Sequence, residues 1–162
     1  MLSLDEIKQR LAVHEGFRSK PYRCTANKLT IGIGRNIEDR PFTKEELKIV
    51  GKDYMTKGIT KAQAYTILAK DVLQFDFELK QNIPFYEKLD DERQYALLDM
   101  VFNMGIGNQK KGLLSFKNML NYMGTGFYKQ AAAECLNSKY GRELPTRAGR
   151  IARTIETGVF KW

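Results

Sequence analysis

A glutamate, a cysteine and a threonine near the N-terminus have side chains that can take part in hydrolysis: Glu15, Cys24 and Thr30. A glutamate shielded from water can keep its proton near neutral pH and give it to a leaving oxygen, which makes Glu15 the strongest candidate for a general acid. The alternative is an ordinary solvated carboxylate at the end of a helix. The residues around Glu15 favour the first interpretation.

Cys24 and Thr30 give less specific signals. Cys24 could act as a nucleophile or a general base, or it could be a structural thiol or half of a disulfide with Cys135. Nothing in the spacing demands a disulfide, and two reduced thiols are expected because the chain shows no secretory signal. The Thr30 hydroxyl could hold a water molecule, although threonine is also favoured in any β-strand.

A predicted helix at residues 3–15 positions the glutamate. Ser3 is a suitable N-cap, and Gly16 stands where a glycine would end the helix. The apolar residues recur at helical spacing, at Leu4, Ile7 and Leu11. Glu15 then falls in the last turn, where the helix dipole disfavours a carboxylate. A glutamate at this position needs a functional reason or a cationic partner.

A hairpin is predicted to follow, with strands at Tyr22–Cys24 and Leu29–Gly34 around a turn near Asn27. In the second strand Ile31 and Ile33 point to one face. The opposite face carries only small residues, namely Thr30, Gly32 and Gly34. Glycine weakens a strand unless something must come close to the backbone, so this face is interpreted as a floor for a ligand.

Helices are predicted for most of the remaining chain. A capping box at Thr43 begins a helix that ends before Gly58, and a second box at Thr60 begins a long helix to about Lys80. The buried stripe of the long helix is predicted at Ala64, Ile67, Leu68, Val72, Phe75 and Leu79. Further helices are expected at about 91–105, 113–123, 126–137 and 143–155. The predicted fold class is α+β and mainly α.

Composition limits the possible functions. The 162 residues are enough for one domain with a core, and 43% are apolar. No apolar run is long enough to span a membrane, and the N-terminus has no signal peptide, so a cytoplasmic protein is expected. The net charge of +8 favours an anionic partner such as nucleic acid, acidic lipid or an acidic wall polymer.

The histidine content argues against several classes of site. His14 is the sole histidine, so a catalytic zinc centre and a Ser-His-Asp hydrolase are both disfavoured. The GIG sequence at residues 32–34 lacks a third glycine and a phosphate-loop lysine, which makes nucleotide binding a weak interpretation. No metal and no organic cofactor are expected.

Several stretches of the chain resemble, in order, the phage-type lysozymes. They are EG-x-R-x-K-x-Y followed by T-x-GIG, then GITKAQAYTILAKDV, DMVFNMG, and S-K-Y-x-x-x-x-P-T-R-A-x-R to TGVF. The resemblance implies one lysozyme domain over residues 1–162. It implies an N-terminal lobe at about 13–60 with a small sheet, a connecting helix at about 60–80, and a helical C-terminal lobe at about 81–162 that includes helix 3–15.

The resemblance also implies a reaction. Phage-type lysozymes hydrolyse the β-1,4 bond between N-acetylmuramic acid and N-acetylglucosamine in bacterial peptidoglycan. Glu15 matches the general acid, and Thr30 matches the threonine that positions the attacking water. Cys24 stands where part of the family has an aspartate, so the thiol could orient or deprotonate water, or it could attack the sugar itself.

Further positions are carried over as substrate-binding residues: Gly34, Asn36, Phe102, Asn103, Met119, Glu134 and Arg147. By the same resemblance Arg147 could pair with Glu15, which would supply the cation that the helix end lacks. Arg35 is expected to form an ion pair with Asp71 on the long helix.

The biological role implied is that of an endolysin for host cell lysis. A monomer is expected that binds peptidoglycan but neither nucleic acid nor a stable membrane anchor. It would collect in the host cytoplasm and reach the periplasmic peptidoglycan through a holin pore.

Two rival functions stay open on the residues. A cysteine peptidase or amidase would use Cys24 as its nucleophile, but it needs a base and His14 is the one histidine. A basic nucleic-acid-binding protein would fit the net charge, but it leaves Glu15 and the small-residue strand face unexplained.

Overall fold

A computed structural model describes residues 1–162 and shows a mainly helical protein with one three-stranded antiparallel sheet. The predicted α+β, mainly α class is confirmed. The helices are α1 Leu4–Glu15, α2 Lys44–Val50, α3 Tyr54–Lys57, α4 Lys61–Asn82, α5 Asp91–Met104, α6 Lys117–Gly124, α7 Tyr128–Leu136, α8 Lys139–Glu143 and α9 Pro145–Thr157. The strands are β1 Arg18–Arg23, β2 Leu29–Gly32 and β3 Arg35–Asn36, and short 3-10 helices lie at Tyr86–Lys88 and Leu113–Ser115.

The chain forms two compact units. The first is Ser3–Gln74, and the second is Phe75–Trp162 together with Met1–Leu2. The predicted three-part division into lobes and a connecting helix stays a prediction. No helix is both long and apolar enough to cross a membrane.

Helix α1 begins and ends as its sequence predicts. The Ser3 hydroxyl accepts a hydrogen bond from the Glu6 N–H at 3.2 Å, which satisfies one of the free donors of the first turn. Gly16 ends the helix with φ of 70°, and its N–H donates to the Ala12 carbonyl at 2.9 Å. Glu15 is therefore the last residue of α1.

Strand β1 starts earlier than predicted, at Arg18, and passes through Pro21. Proline cannot donate a ladder hydrogen bond, but β1 is an edge strand and its register with β2 is irregular between Arg18 and Tyr22. The turn contains Asn27 with φ of 59°, the left-handed conformation that the sequence predicts there.

Strand β2 is shorter than predicted because Gly32 and Gly34 both have positive φ, at 68° and 69°. A Cβ on Gly32 would lie 3.0 Å from Ile59 and 3.3 Å from Ala64, so Gly32 faces the core of its unit. The interpretation of Gly32 as part of a ligand floor is therefore wrong. The chain instead turns back into β3, which pairs Asn36 with Thr30 and was not predicted.

The helix expected to run from Thr43 to Gly58 is broken at Gly51. Its predicted capping box is present, since the Glu46 N–H donates to Thr43 Oγ1 at 3.1 Å and the Thr43 N–H donates to Glu46 Oε1 at 3.0 Å. Gly51, with φ of 85°, ends α2 and leaves the short α3 before Gly58.

The long helix α4 is confirmed, with its capping box at Thr60 and Gln63. The six residues predicted for its apolar stripe are all buried, namely Ala64, Ile67, Leu68, Val72, Phe75 and Leu79.

The predicted terminal helix at 143–155 is two helices, α8 and α9. Pro145 opens α9, where its missing N–H costs nothing. Helical geometry is disfavoured for the residue before a proline, and Leu144 lies outside the helical region with φ of −126° and ψ of 62°. In the same unit the predicted helix 113–123 becomes a 3-10 turn followed by α6.

A buried ion-pair network links strand β3 to α2 and α4. The Arg35 guanidinium donates to both carboxylate oxygens of Glu46, at 2.7 and 2.9 Å, and to Asp71 Oδ1 at 2.9 Å. Its side chain is 4% exposed. The predicted pair of Arg35 with Asp71 is confirmed, whereas Glu46 and Arg40, which also donates to Asp71 at 2.9 Å, were not predicted as members.

The two carboxylates of this network titrate differently. Burial raises the pKa of Asp71 to about 6, despite the opposing charges of Arg35 and Arg40. Burial also acts to raise the pKa of Glu46, but the hydrogen bonds from Arg35 and from the Thr43 N–H outweigh it and lower that pKa to about 2. Both groups are anionic at neutral pH, so the network depends on its arginines.

Candidate active site

The Glu15 carboxyl lies directly against the backbone of Gly34. A Cβ at position 34 would come within 2.8 Å of Glu15 Oε2 and 2.9 Å of its Cγ and Cδ. The positive φ of Gly34 adds a second reason why only glycine suits this position. The link between β2 and β3 thus packs on the half-buried side chain that ends α1.

One face of the sheet carries the predicted water-positioning residue. Thr30 is the ladder partner of Tyr22 on β1 and of Asn36 on β3, and partners in antiparallel strands project to the same side. The Asn36 side chain is engaged by its own loop, accepting from the Glu38 and Asp39 N–H groups at 3.1 and 3.0 Å. Its role in sugar contact stays a prediction.

Thr30 is held in one orientation. It is 3% exposed, and its hydroxyl donates to the Lys28 carbonyl at 2.9 Å. Because the hydroxyl proton is used, the oxygen has only its lone pairs to offer, and it can accept a hydrogen bond from a water molecule. A water bound in this way presents its own oxygen in a defined direction.

Cys24 directly follows β1 and is a half-buried free thiol. Its N–H donates to the Lys28 carbonyl at 3.0 Å, and its carbonyl accepts from the Asn27 N–H at 2.8 Å, so the turn fixes its backbone. Cys135 is also free and lies fully buried in α7, where burial raises the pKa of its thiol to about 12. The two thiols form no disulfide.

Tyr22, the last residue of the EG-x-R-x-K-x-Y motif, lies opposite Thr30 in the sheet, although the sequence assigned it no role. The Arg18 guanidinium carbon lies 4.5 Å from the centroid of its ring. Burial raises the pKa of Tyr22, electrostatic interactions with Glu15 and Cys24 raise it further, and the Arg18 cation opposes them. The hydroxyl therefore stays protonated at neutral pH. The hairpin register, which places Tyr22 opposite Thr30, is the signal that could have identified this residue.

Arg147 lies in the second unit and is anchored by a buried carboxylate. Its Nε donates to Asp99 Oδ1 at 2.8 Å, and the Tyr95 hydroxyl donates to Asp99 Oδ2 at 2.9 Å. Asp99 is fully buried, and Arg147 is 9% exposed. The predicted pairing of Arg147 with Glu15 stays a prediction.

The other predicted substrate-binding residues of the second unit differ in exposure. Phe102 packs its ring edge-on against Phe75 at 5.4 Å and is 7% exposed, whereas Asn103, next to it at the end of α5, is exposed. Met119 is buried in α6, and Glu134 is half-buried in α7. Their roles in binding stay predictions.

Comparison with known proteins decides the family. A family model described as phage lysozyme matches residues 12–153. The chain belongs to the phage lysozyme family. The resemblance seen in the sequence is thereby confirmed.

The relatives of this lysozyme match over nearly its full length. Probable T4-type lysozyme 1 of Dictyostelium discoideum is 30% identical, covering 96% of each chain, and probable T4-type lysozyme 2 of the same organism is 29% identical, covering 98% of each. The pre-baseplate central spike protein Gp5 of Enterobacteria phage T4 is 30% identical over 97% of this chain but only 28% of its own. Family membership makes the chain a lysozyme, and hence a glycosidase.

The contact between Gly34 and Glu15 can be tested by adding one methyl group. Gly34→Ala is expected to reduce lysozyme activity by about tenfold or more, because the Cβ would displace the carboxyl of Glu15, the predicted general acid. The measurement is the rate of peptidoglycan hydrolysis. Gly51→Ala is the matched control, since Gly51 has φ of 85° but nothing within 4 Å of an added Cβ. Equal rates for the two variants would contradict the assignment.

Proposed function

We propose that this lysozyme is an endolysin with muramidase activity, which cleaves the β-1,4 bond between N-acetylmuramic acid and N-acetylglucosamine in bacterial peptidoglycan. The observation that carries the proposal is the placement of the Glu15 carboxyl against Gly34, in the unit that also holds Thr30 on β2 and Cys24 in the turn after β1. Membership of the phage lysozyme family supports this substrate class.

The three candidate residues divide the reaction between them. Glu15 gives its proton to the glycosidic oxygen as the bond from that oxygen to the anomeric carbon breaks. Water attacks the anomeric carbon from the opposite face, held by a hydrogen bond to Thr30 Oγ1. Cys24 orients this water and accepts a proton from it. The products are a new hemiacetal and a free hydroxyl, and the proton taken up returns Glu15 to its acid form.

The charge distribution suits this substrate. The formal net charge is +8, and peptidoglycan carries carboxylates on its lactyl and peptide groups. Opposite charge raises the rate of encounter, and salt should weaken the effect. We further propose that the protein works as a monomer without a stable membrane anchor. It leaves the host cytoplasm through a holin pore and lyses the wall from the periplasmic side.

The test of the proposal is the clearing of Gram-negative cells whose outer membrane has been permeabilised. The wild type is expected to clear the suspension. A nucleic-acid-binding protein would produce no clearing, and would bind DNA with an affinity that falls steeply with salt. Absence of clearing would contradict the proposal.

Two variants of Cys24 test its role in the same assay. Cys24→Asp is expected to keep most of the activity, because a carboxylate can orient and deprotonate water. Cys24→Ser is expected to lose about tenfold or more, because a hydroxyl is a poor base. Cys135→Ser is the control for the loss of a thiol, since Cys135 lies buried in α7. An inactive Cys24→Asp with an active Cys24→Ser would contradict the role of water activation.

A further inference from the structure

The indole of Trp162 is exposed at the surface but held in place by aromatic contacts. Its ring contacts the Phe160 ring edge-on, with 4.9 Å between the centroids, and Phe160 in turn packs edge-on at 5.3 Å against Tyr95. Tyr95 is 1% exposed, so this series of rings is anchored in the core of the second unit. Trp162 itself is 54% exposed. The contacts therefore order a large apolar ring without burying it.

Arg150 on α9 lies beside this ring with its hydrogen-bond donors unused. The guanidinium carbon is 5.3 Å from the indole centroid, within the range of a cation–π contact. The side chain is half-buried, yet it forms no ion pair and donates no hydrogen bond within the protein. Other arginines of the second unit use their donors internally, since Arg147 donates to Asp99 and Arg93 donates to two backbone carbonyls of α9. The Arg150 guanidinium can therefore receive an anion from outside the protein.

The surface around the indole is cationic. Arg153 lies one turn after Arg150 on the same helix face, and Lys161 precedes Trp162 in the chain. Both are exposed, and neither forms an ion pair. Glu156, the acidic residue of α9, lies on a different face of the helix. Positive charge beside an exposed apolar ring favours a ligand that has both an apolar face and an anionic group.

We propose that Arg150 and Trp162 form a second binding site for peptidoglycan, in which a sugar ring stacks on the exposed indole and the Arg150 guanidinium binds a carboxylate of the attached peptide. The inference rests on the proposed function, because it takes the wall polymer as the ligand. The apolar face of a pyranose ring stacks on aromatic side chains, and a guanidinium can bind both oxygens of a carboxylate. Peptidoglycan carries these two groups close together, since its peptides branch from its sugars.

A second contact with the same polymer keeps the enzyme on the wall between cleavage events. Once one site is bound, the other meets its ligand at a high local concentration, so two modest affinities give tight binding overall. Salt weakens the contribution of Arg150, because the pair it forms with the carboxylate lies at the surface.

The structure favours this ligand over nucleic acid and anionic lipid, which also combine negative charge with apolar groups. Grooves that bind single-stranded nucleic acid stack successive bases on several aromatic rings, whereas one indole is exposed here. A helix that lies on a lipid surface turns its apolar face to the lipid. The apolar face of α9 is instead buried in the protein, with Ile151 and Ile155 both 0% exposed.

Cosedimentation with insoluble peptidoglycan sacculi measures the proposed binding. Every protein in the assay carries Glu15→Gln, so that the sacculi are not degraded. Arg150→Met keeps an aliphatic chain beside the indole but removes the guanidinium, and we expect it to raise the apparent Kd by about tenfold. Trp162→Ala removes the stacking ring and is expected to raise the apparent Kd by a similar factor. Either variant decides the question alone if the other fails to fold.

Matched controls test whether these losses are specific. Arg153→Met removes a cation from the same helix, and Phe127→Ala removes another ring of the second unit that is also 54% exposed. Each control is expected to change the apparent Kd by less than about twofold. Sacculi whose carboxyl groups have been converted to methylamides test the ligand. On these sacculi Arg150→Met and its parent should bind equally.

The outcomes distinguish the inference from the proposed function. Unchanged binding in Arg150→Met and Trp162→Ala would overturn the inference, and so would an equal loss on native and amidated sacculi for Arg150→Met. A loss confined to phosphatidylglycerol vesicles or to single-stranded DNA would also overturn it, because the ligand would then be lipid or nucleic acid. An inactive wild type whose binding to sacculi still depends on Arg150 would overturn the proposed function and leave the second site in place.

Discussion

Glu15→Gln is expected to lower kcat for peptidoglycan hydrolysis by about a thousandfold, because glutamine keeps the shape of the side chain but has no proton to give to the leaving oxygen. The Glu15 carboxyl lies against Gly34, and the amide should fit the same space. The free energy of unfolding should therefore change little. Initial rates with purified peptidoglycan, together with a denaturant titration, measure both quantities.

Glu45→Gln provides the control for this substitution. Glu45 is exposed in the first turn of α2, and it belongs to the same unit as Glu15. The control should keep wild-type activity. If Glu15→Gln also turned over at the wild-type rate, Glu15 would not be the general acid.

Arg35→Met is expected to lower the free energy of unfolding by about 3–5 kcal/mol. Methionine fills much of the same space, but it leaves the buried Glu46 carboxylate without the two hydrogen bonds that Arg35 donates. Asp71 also loses one of its two arginine partners. A buried charge without a partner destabilises the folded protein by far more than the intact ion pair stabilises it.

Arg23→Met is the exposed counterpart. Arg23 forms an ion pair with Glu38 at 2.8 Å, but its side chain is 57% exposed. The loss expected there is below about 1 kcal/mol. The triple variant Arg35→Met/Glu46→Gln/Asp71→Asn should recover part of the loss, since the buried charges are removed together. Equal destabilisation by Arg35→Met and Arg23→Met in chemical denaturation would refute the structural role of the network.

Helix positions could be predicted from the sequence where local signals act. The N-cap at Ser3, the capping boxes at Thr43 and Thr60 and the glycine at position 16 all use contacts within one or two turns, and each is present in the structure. Helix breaks were missed where the signal was weaker. Gly51 and Pro145 are helix-breaking residues, but each lies in a stretch whose apolar spacing predicts a continuous helix.

The sheet was harder to predict because it depends on tertiary contacts. Strand β3 has only two residues, too few for an alternating pattern, and it forms because Thr30 offers Asn36 a ladder partner. The positive φ of Gly32 and Gly34 turned the expected small-residue face into a bend. Gly34 nevertheless contacts Glu15, so one glycine of the predicted floor lies at the site.

The candidate site was predicted in parts. Glu15 and Cys24 stood out by residue type, but Thr30 acquired a role only through the resemblance to phage-type lysozymes. Tyr22 received no role because its place opposite Thr30 comes from the hairpin register, which the residue types alone do not give. The sequence predicts Glu46 as part of a capping box. Its pairing with Arg35 is a tertiary contact, which only the folded structure shows.

The most direct test of the central claim is the mass analysis of fragments released from purified peptidoglycan, after reduction with borohydride. A muramidase predicts fragments that end in reduced N-acetylmuramic acid, with no new amino groups. New amino ends would show peptidase or amidase cleavage, and a 1,6-anhydro end would show a transglycosylase. Either of these results would contradict hydrolysis of the glycosidic bond by Glu15 and a positioned water.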